Sequence, residues 1–423
     1  MSGGAETERV ASQARAAAGD RPRAVALWRQ VLAQNPDHPE ALNVLANWHL
    51  SQGEPREAVP LLARAVAAEP GQAALHFNLA TALGGLGRYD DALRALDAAL
   101  AIDPYFVQAL FHKAALLDRV GQRVEAAAIY RNYLDCMPPQ LRSDPRMAGA
   151  VAQAQAAIDA DNGKLRTIVA ETVGAADISP RLAEAIGLLT GEARRYVQQP
   201  TFLTVPRLPA IPYFDAADFP WLADLEAAAE DVLEELRGLL AAPDEPGFEP
   251  YVARPAGVPL NQWGELNHSK RWSAFHLWLN GIRQDANCAR CPRTAALVES
   301  LPRIVVPDRA PNAFFSVLRA GARIPPHTGV TNMRATIHLG LIVPPGCAFR
   351  VGNEVRAWQA GKAWAFDDTI EHEAWNESGE DRVILIVDGW NPYIEPAERP
   401  GLTGLLTAYD RHRGRARGWA EDA

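Results

Sequence analysis

Apolar residues return every three or four positions from residue 143 to 173. Ala150, Ala154, Ala157 and Ile158 share one stripe there, and that period predicts a helix. A second helix is expected after Ser179-Pro180, since serine accepts bonds from early helical N–H groups and proline tolerates the first helical position. Prolines at 200, 206, 209 and 212 then exclude helix and central strand, and predict an extended surface segment. The helical period resumes over 222–240, with Leu225, Val232, Leu233 and Leu236 on one face and Glu230 and Glu234 off it. Past residue 250 the period becomes two. The run from Trp272 through Trp278 alternates bulky and smaller residues, as a half-buried strand does. Further strands are predicted over 313–318, 334–342, 363–366 and 383–387. Many short strands separated by Gly, Pro and Asn imply a sandwich or barrel, of which a jelly roll is one form.

A longer period governs the first third. Pro36, Pro70, Pro104 and Pro138 are 34 residues apart, as are Gly19, Gly53, Gly87 and Gly121, and Ala24, Ala58, Ala92 and Ala126. In this period and these residue types the segment resembles tetratricopeptide repeats. Each Gly is expected to end a first helix in a left-handed conformation, each Ala to let the second helix pack closely, and each Pro to mark the boundary between successive repeats. Four repeats are read, at about 2–35, 36–69, 70–103 and 104–137. Such a solenoid offers a concave face to an extended peptide or protein, and equally serves as a structural or oligomerising element. The expected organisation is repeats over 1–140, a helical cap and connector over 141–198, a β domain over 199–398 and a C-terminal tail over 399–423.

Composition narrows the function classes. An apolar content of 48% with 22% charged residues is that of a globular chain. A formal charge of −9 argues against nucleic acid as the main partner. Neither a signal peptide nor a run of 18 apolar residues is visible, so no integral membrane segment is expected. Four cysteines fit a reducing, cytoplasmic setting.

The candidate chemistry lies in the β-rich half, where His327, His338 and His372 fall within 46 residues. Strand alternation puts Arg334, Thr336 and His338 on one face and Ala335, Ile337 and Leu339 on the other, against the core. An Arg and a His facing a cavity imply something anionic or metallic there. Pro325-Pro326 holds His327 extended. His372, between Glu371 and Glu373, reads as lying just after a strand end. Neutral imidazoles from separate segments are ligands of Fe, Zn, Cu or Ni. His38, His49, His76 and His112 read as ordinary repeat residues. His412, in the basic run Arg411-His412-Arg413-Gly414-Arg415, reads as solvated, and His268 and His276 fit either description.

Longer motifs sharpen this. His327-Thr328-Gly329, Thr331-Asn332-Met333-Arg334, Ile337-His338-Leu339-Gly340-Leu341, Phe366-Asp367-Asp368 with Glu371-His372-Glu373-Ala374-Trp375, and Arg382 with Val387-Asp388-Gly389-Trp390 resemble the aspartyl/asparaginyl β-hydroxylase family. Pro200-Thr201-Phe202-Leu203 and Phe219-Pro220-Trp221 match its entry segment. The resemblance covers about 200–395. It implies a double-stranded β-helix (jelly-roll, cupin-like) domain that uses Fe(II), 2-oxoglutarate and O₂. His327 and His372 would be the metal ligands, and Gly329 stands where most 2-oxoglutarate oxygenases carry a carboxylate ligand. Asp368 would hold a metal-bound water, with a turn-capping role as the alternative. Arg382 and Ser316 would bind the distal carboxylate of 2-oxoglutarate, and His338 the other carboxylate. Arg334, Thr336 and Trp272 would face the substrate.

Vertebrate members carry an Arg at the position of Thr336, which leaves a substrate carboxylate less well matched here. The implied function is hydroxylation of a carbon, most directly the β-carbon of Asp or Asn in a peptide held by the repeats. The alternatives are an adaptor with a non-catalytic β module, and hydroxylation of a small molecule or acyl chain. Cys288 and Cys291 form a lone CxxC, read as structural or incidental against redox or metal roles.

Overall fold

The computed structural model describes residues 2–174, 178–242 and 246–413. The chain forms two compact units, Met1–Ala193 and Arg194–Ala423.

In the first unit the 34-residue period becomes four helix pairs: Ser2–Ala16 with Arg21–Gln34, Pro39–Ser51 with Pro55–Ala68, Ala73–Gly85 with Tyr89–Ile102, and Val107–Arg119 with Arg123–Cys136. Gly53, Gly87 and Gly121 take φ of 75°, 73° and 86° at the turn within their pairs. Gly19 is the exception and keeps negative φ, so the first pair turns without the left-handed residue. Ala58, Ala92 and Ala126 are fully buried, so the second helix of each pair lies close against its neighbours. The helix Ala148–Val173 then buries Ala154 and Ile158 against Tyr130, Tyr133 and Leu134 of the last pair. Ser179 caps the helix Pro180–Thr190 by accepting from the N–H of Leu182 at 3.3 Å.

The second unit holds eleven described strands. They are β1 (Glu249–Pro250), β2 (Trp272–Leu279), β3 (Ile282–Arg283), β4 (Ala313–Leu318), β5 (Arg323–His327), β6 (Arg334–Ile342), β7 (Cys347–Val351), β8 (Glu354–Arg356), β9 (Ala363–Phe366), β10 (His372–Asn376) and β11 (Arg382–Trp390). A large antiparallel sheet runs β1-β2-β4-β11-β6-β9, with β3 beside β2, and a small one runs β5-β10-β7-β8.

The large sheet is covered on both faces. On one, Phe275, Phe315, Ile337, Leu339 and Leu385 pack with Val232 and Leu236 of the helix Ala229–Leu240 and Val298 of the helix Pro292–Ser300. On the other, Trp272, Phe314, Leu318 and Ile384 meet Ile324, Phe349, Val351 and Ala374 of the small sheet. Fully burying one such side chain stabilises the fold by about 1.5–3 kcal/mol. This double cover corrects the reading of β2 as half-buried, because Phe275 and Leu277 face helices while Trp272 and Ala274 face the second sheet.

Three other expectations change. The helix over 222–240 is two helices, Leu222–Ala227 and Ala229–Leu240, separated at Ala228. The proline-rich segment is extended, yet it docks on the β domain. The N–H groups of Gln199, Thr201 and Phe202 donate to the carbonyls of Thr369, Gly329 and Val330, and Tyr213 and Phe214 are buried. Residues 399–413 form a helix, Arg399–Arg413, whose Asp410 accepts from Nε of the fully buried Arg309 at 2.8 Å. His412 is exposed in it, while Gly414 and Arg415 lie outside the described residues.

Candidate active site

Antiparallel pairing of β5 with β10 sets His327 directly opposite His372, with ring centroids 4.1 Å apart. His372 opens β10 instead of following a strand end, and it pairs also with Val351 of β7. Nδ1 of His327 lies 2.8 Å from the carbonyl oxygen of Pro325, and Nδ1 of His372 lies 3.0 Å from that of Ile370. A carbonyl only accepts, so both Nδ1 atoms carry the proton and both Nε2 atoms keep a lone pair. Burial pushes the His327 imidazolium down to about 3, with help from neighbouring His372, and His372 down to about 4. These are two neutral, pre-oriented nitrogen donors on facing strands.

Asp368 stands beside them. A Cβ added at Gly329 would collide with its carboxylate, so the glycine leaves room for an acid from another segment. Oδ2 of Asp368 accepts from Nη2 of Arg334 at 2.5 Å, whereas Oδ1 is buried with no partner among the described residues. Nη1 of Arg334 donates to Asp388 at 3.1 Å. Arg334 is therefore engaged by two carboxylates of its own chain. Asp388 is in turn held by the backbone N–H and side-chain amide of Asn312 at 2.9 and 3.0 Å.

Across the large sheet lies Arg382, 1% exposed, with Nε and Nη1 lacking any partner among the described residues. Burial pushes its guanidinium down to about 10. A buried cation with open donors is costly unless an anion meets it. Ser316 lies on the neighbouring strand, where it pairs with Ile384, and its Oγ accepts from Nε1 of Trp272 at 3.1 Å. Trp272 is thus a buried wall that holds Ser316, stacked on Tyr251 at 4.0 Å. Thr336 points its hydroxyl into the same interior, buried and without a partner among the described residues.

His338 differs from the other two histidines. Nε1–H of Trp358 donates to its Nδ1 at 3.4 Å, so the ring proton sits on Nε2 and His338 offers a donor where the others offer lone pairs. Burial and the nearby Arg382 charge hold it well below the usual imidazole range, and so neutral.

Among the described residues no group of three or more His, Cys, Asp or Glu is arranged to hold a metal ion. The donor set still fits a two-histidine metal site. Two neutral imidazoles with free Nε2 lone pairs lie side by side, and the unpartnered Asp368 oxygen suits a donor such as a coordinated water. Cys288 and Cys291 are buried free thiols packed in the helix-side core.

Sequence reasoning missed Asp388 and Trp358. Strand alternation from Arg382 puts Asp388 on the cavity face and is signal enough to find it. Trp358 sits between β8 and β9 in a stretch with no period to read.

Residues 231–392 match the family model described as aspartyl/asparaginyl beta-hydroxylase, and residues 15–83 and 73–106 match tetratricopeptide-repeat models. Human aspartyl/asparaginyl beta-hydroxylase is 33% identical over 187 residues, 44% of this chain and 24% of that protein. The ornithine lipid ester-linked acyl 2-hydroxylase of Rhizobium tropici is 36% identical over 190 residues, 44% of this chain and 63% of that protein. Human aspartate beta-hydroxylase domain-containing protein 2 is 35% identical over 216 residues, 50% of this chain and 55% of that protein. The chain thus spans between 24% and 63% of the length of these relatives. Residues 231–392 are thus similar to the aspartyl/asparaginyl beta-hydroxylase family, in one chain with segments similar to tetratricopeptide repeats.

Proposed function

We propose that the chain is an Fe(II)- and 2-oxoglutarate-dependent dioxygenase that hydroxylates a carbon of its substrate. The observation that carries this is Arg382, a buried guanidinium with two open donors, sharing one face of the large sheet with neutral His338. His327 and His372 would hold the metal, and Arg382, Ser316 and His338 the 2-oxoglutarate. The bound pair of metal and co-substrate supplies the oxidation of an unactivated C–H bond by O₂. The chain's own role is to orient and to keep the site dry. Arg382 presents a planar fork to one carboxylate, His338 offers one N–H to another, and Trp272 fixes the Ser316 hydroxyl. Asp368, braced by Arg334, keeps one oxygen free to accept a proton-bearing ligand. The strand orders β4-β11-β6-β9 and β5-β10-β7-β8 support a double-stranded β-helix core.

The substrate we infer is a peptide or protein, hydroxylated at the β-carbon of Asp or Asn and gathered by the repeats. A cytoplasmic setting is supported by four cysteines that are all free. Among the described residues no helix is long and apolar enough to cross a membrane. One observation favours a second substrate class. With Arg334 engaged by Asp368 and Asp388, Thr336 is the open polar group, which suits a neutral acyl chain or amide better than a carboxylate.

The test is succinate formation from 2-oxoglutarate with Fe(II), offering Asp peptides, Asn peptides and acyl amides separately. Turnover is expected in wild type and lost in the His327→Ala/His372→Ala double variant. Iron-dependent succinate production that survives the double substitution would refute the metal assignment. Stimulation by acyl amides alone would move the substrate to the second class.

A further inference from the structure

The stretch between β8 and β9 lies directly on β6. The N–H of Gly340 donates to the carbonyl of Lys362 at 3.0 Å, and that of Gly361 to the carbonyl of Gly340 at 2.8 Å. A Cβ at Gly340 would collide with the carbonyl oxygen of Gln359, so only glycine admits this approach. The approach sets Trp358 into the interior, 4% exposed. Its indole N–H donates to Nδ1 of His338, and the two ring planes are 29° apart. The guanidinium carbon of Arg382 lies 4.7 Å from the centroid of the same indole. Trp364 backs the indole at 5.7 Å and 22°. One side chain therefore touches both groups assigned to the co-substrate carboxylates.

Each contact has a chemical consequence. Donation to Nδ1 requires a lone pair there and so leaves the His338 proton on Nε2, the form that can donate to a carboxylate. The indole face against the guanidinium occupies one face of Arg382 by a cation–π contact. That leaves the rim of the guanidinium plane, where Nε and Nη1 have no partner among the described residues, open to the oxygens of an acid. We propose that Trp358 is a positioning residue for the dicarboxylate co-substrate, setting the His338 tautomer and the plane of the Arg382 fork. This rests on the 2-oxoglutarate site proposed above.

The test uses the full chain labelled with ¹⁵N-histidine and free of metal, with the His338 signals identified by their loss in His338→Gln. Wild-type His338 is expected to carry its proton on Nε2. A wild-type proton on Nδ1 overturns the inference with no Trp358 variant needed. Trp358→Phe keeps an aromatic face and loses the donor. It is expected to mix the two tautomers and to raise the Kd for 2-oxoglutarate, measured by calorimetry with Mn(II), about fivefold. Trp358→Leu also loses the face, and about thirtyfold is expected. With Fe(II), KM for 2-oxoglutarate should rise while kcat changes by less than about twofold in the Phe variant. An unchanged tautomer together with unchanged affinity in both variants overturns the inference. A wild-type chain that binds no 2-oxoglutarate overturns the proposed function and the co-substrate half of this inference, and the tautomer readout then decides the other half.

Discussion

His327, His338 and His372 are alike in sequence, yet their Nδ1 partners divide them. Two carbonyl oxygens make donors of the first and last, and one indole makes an acceptor of the middle. Burial keeps all three neutral, which has a signed consequence for stability. Their folded pKa values lie below the ordinary value of 6.5, so the unfolded chain binds more protons below that pH. Stability of the metal-free protein should therefore fall as pH drops from about 6.5 toward about 4, by up to about 1.4 kcal/mol per pH unit for each histidine. Asp367 opposes this. Burial raises its carboxyl from 3.8 to about 6, so it contributes the reverse slope between those values. His276, pushed down to about 4 by burial, adds to the three, so the net expectation is the slope of about three histidines, and urea unfolding at pH 7, 6 and 5 measures it. A flat profile would mean that these imidazoles are solvated in the folded protein.

Strands decide which of these residues can meet. Gly329 matters through what its missing side chain admits, since the Asp368 carboxylate occupies that room. Gly329→Ala is expected to displace Asp368 and weaken metal binding by about 10–100-fold, the usual cost of disturbing a group behind a metal site. Metal titration by calorimetry checks this, and unaltered affinity would remove Asp368 from the site. At this scale the sequence is legible where a strand alternates. Arg334, Thr336 and His338 fall on one face of β6 as their spacing requires, and Ala335, Ile337 and Leu339 enter the opposite core. It is illegible in the small sheet. β8 has three residues, β5 contains two prolines, and β10 begins at His372 itself, so none of them carries a period long enough to read. The engagement of Arg334 by Asp368 is likewise hidden, because Asp368 lies in the turn after β9 and not on a strand with a period to read.

At the scale of the molecule, the two units are stabilised differently. The repeats bury small clusters between successive helices, such as Ala46, Ala58, Leu62 and Ala82, so their contacts are local in sequence. The β unit instead depends on distant pairings, β4 with β11 and β5 with β10, and on Asp410 reaching back to Arg309. His327 and His372 face each other on one rung yet stand 45 residues apart in the chain. An ion gripping both is then a removable crosslink around a loop that contains β6, β7, β8 and β9. A covalent tie of that span would restrict the unfolded chain by about 4 kcal/mol, and a bound metal would stabilise the fold by an amount that grows with the logarithm of its concentration over its Kd. Metal-loaded protein should accordingly unfold at higher urea than metal-free protein, and His327→Ala should erase the difference. Held this way, the reaction's metal would double as a clasp on the domain that houses it.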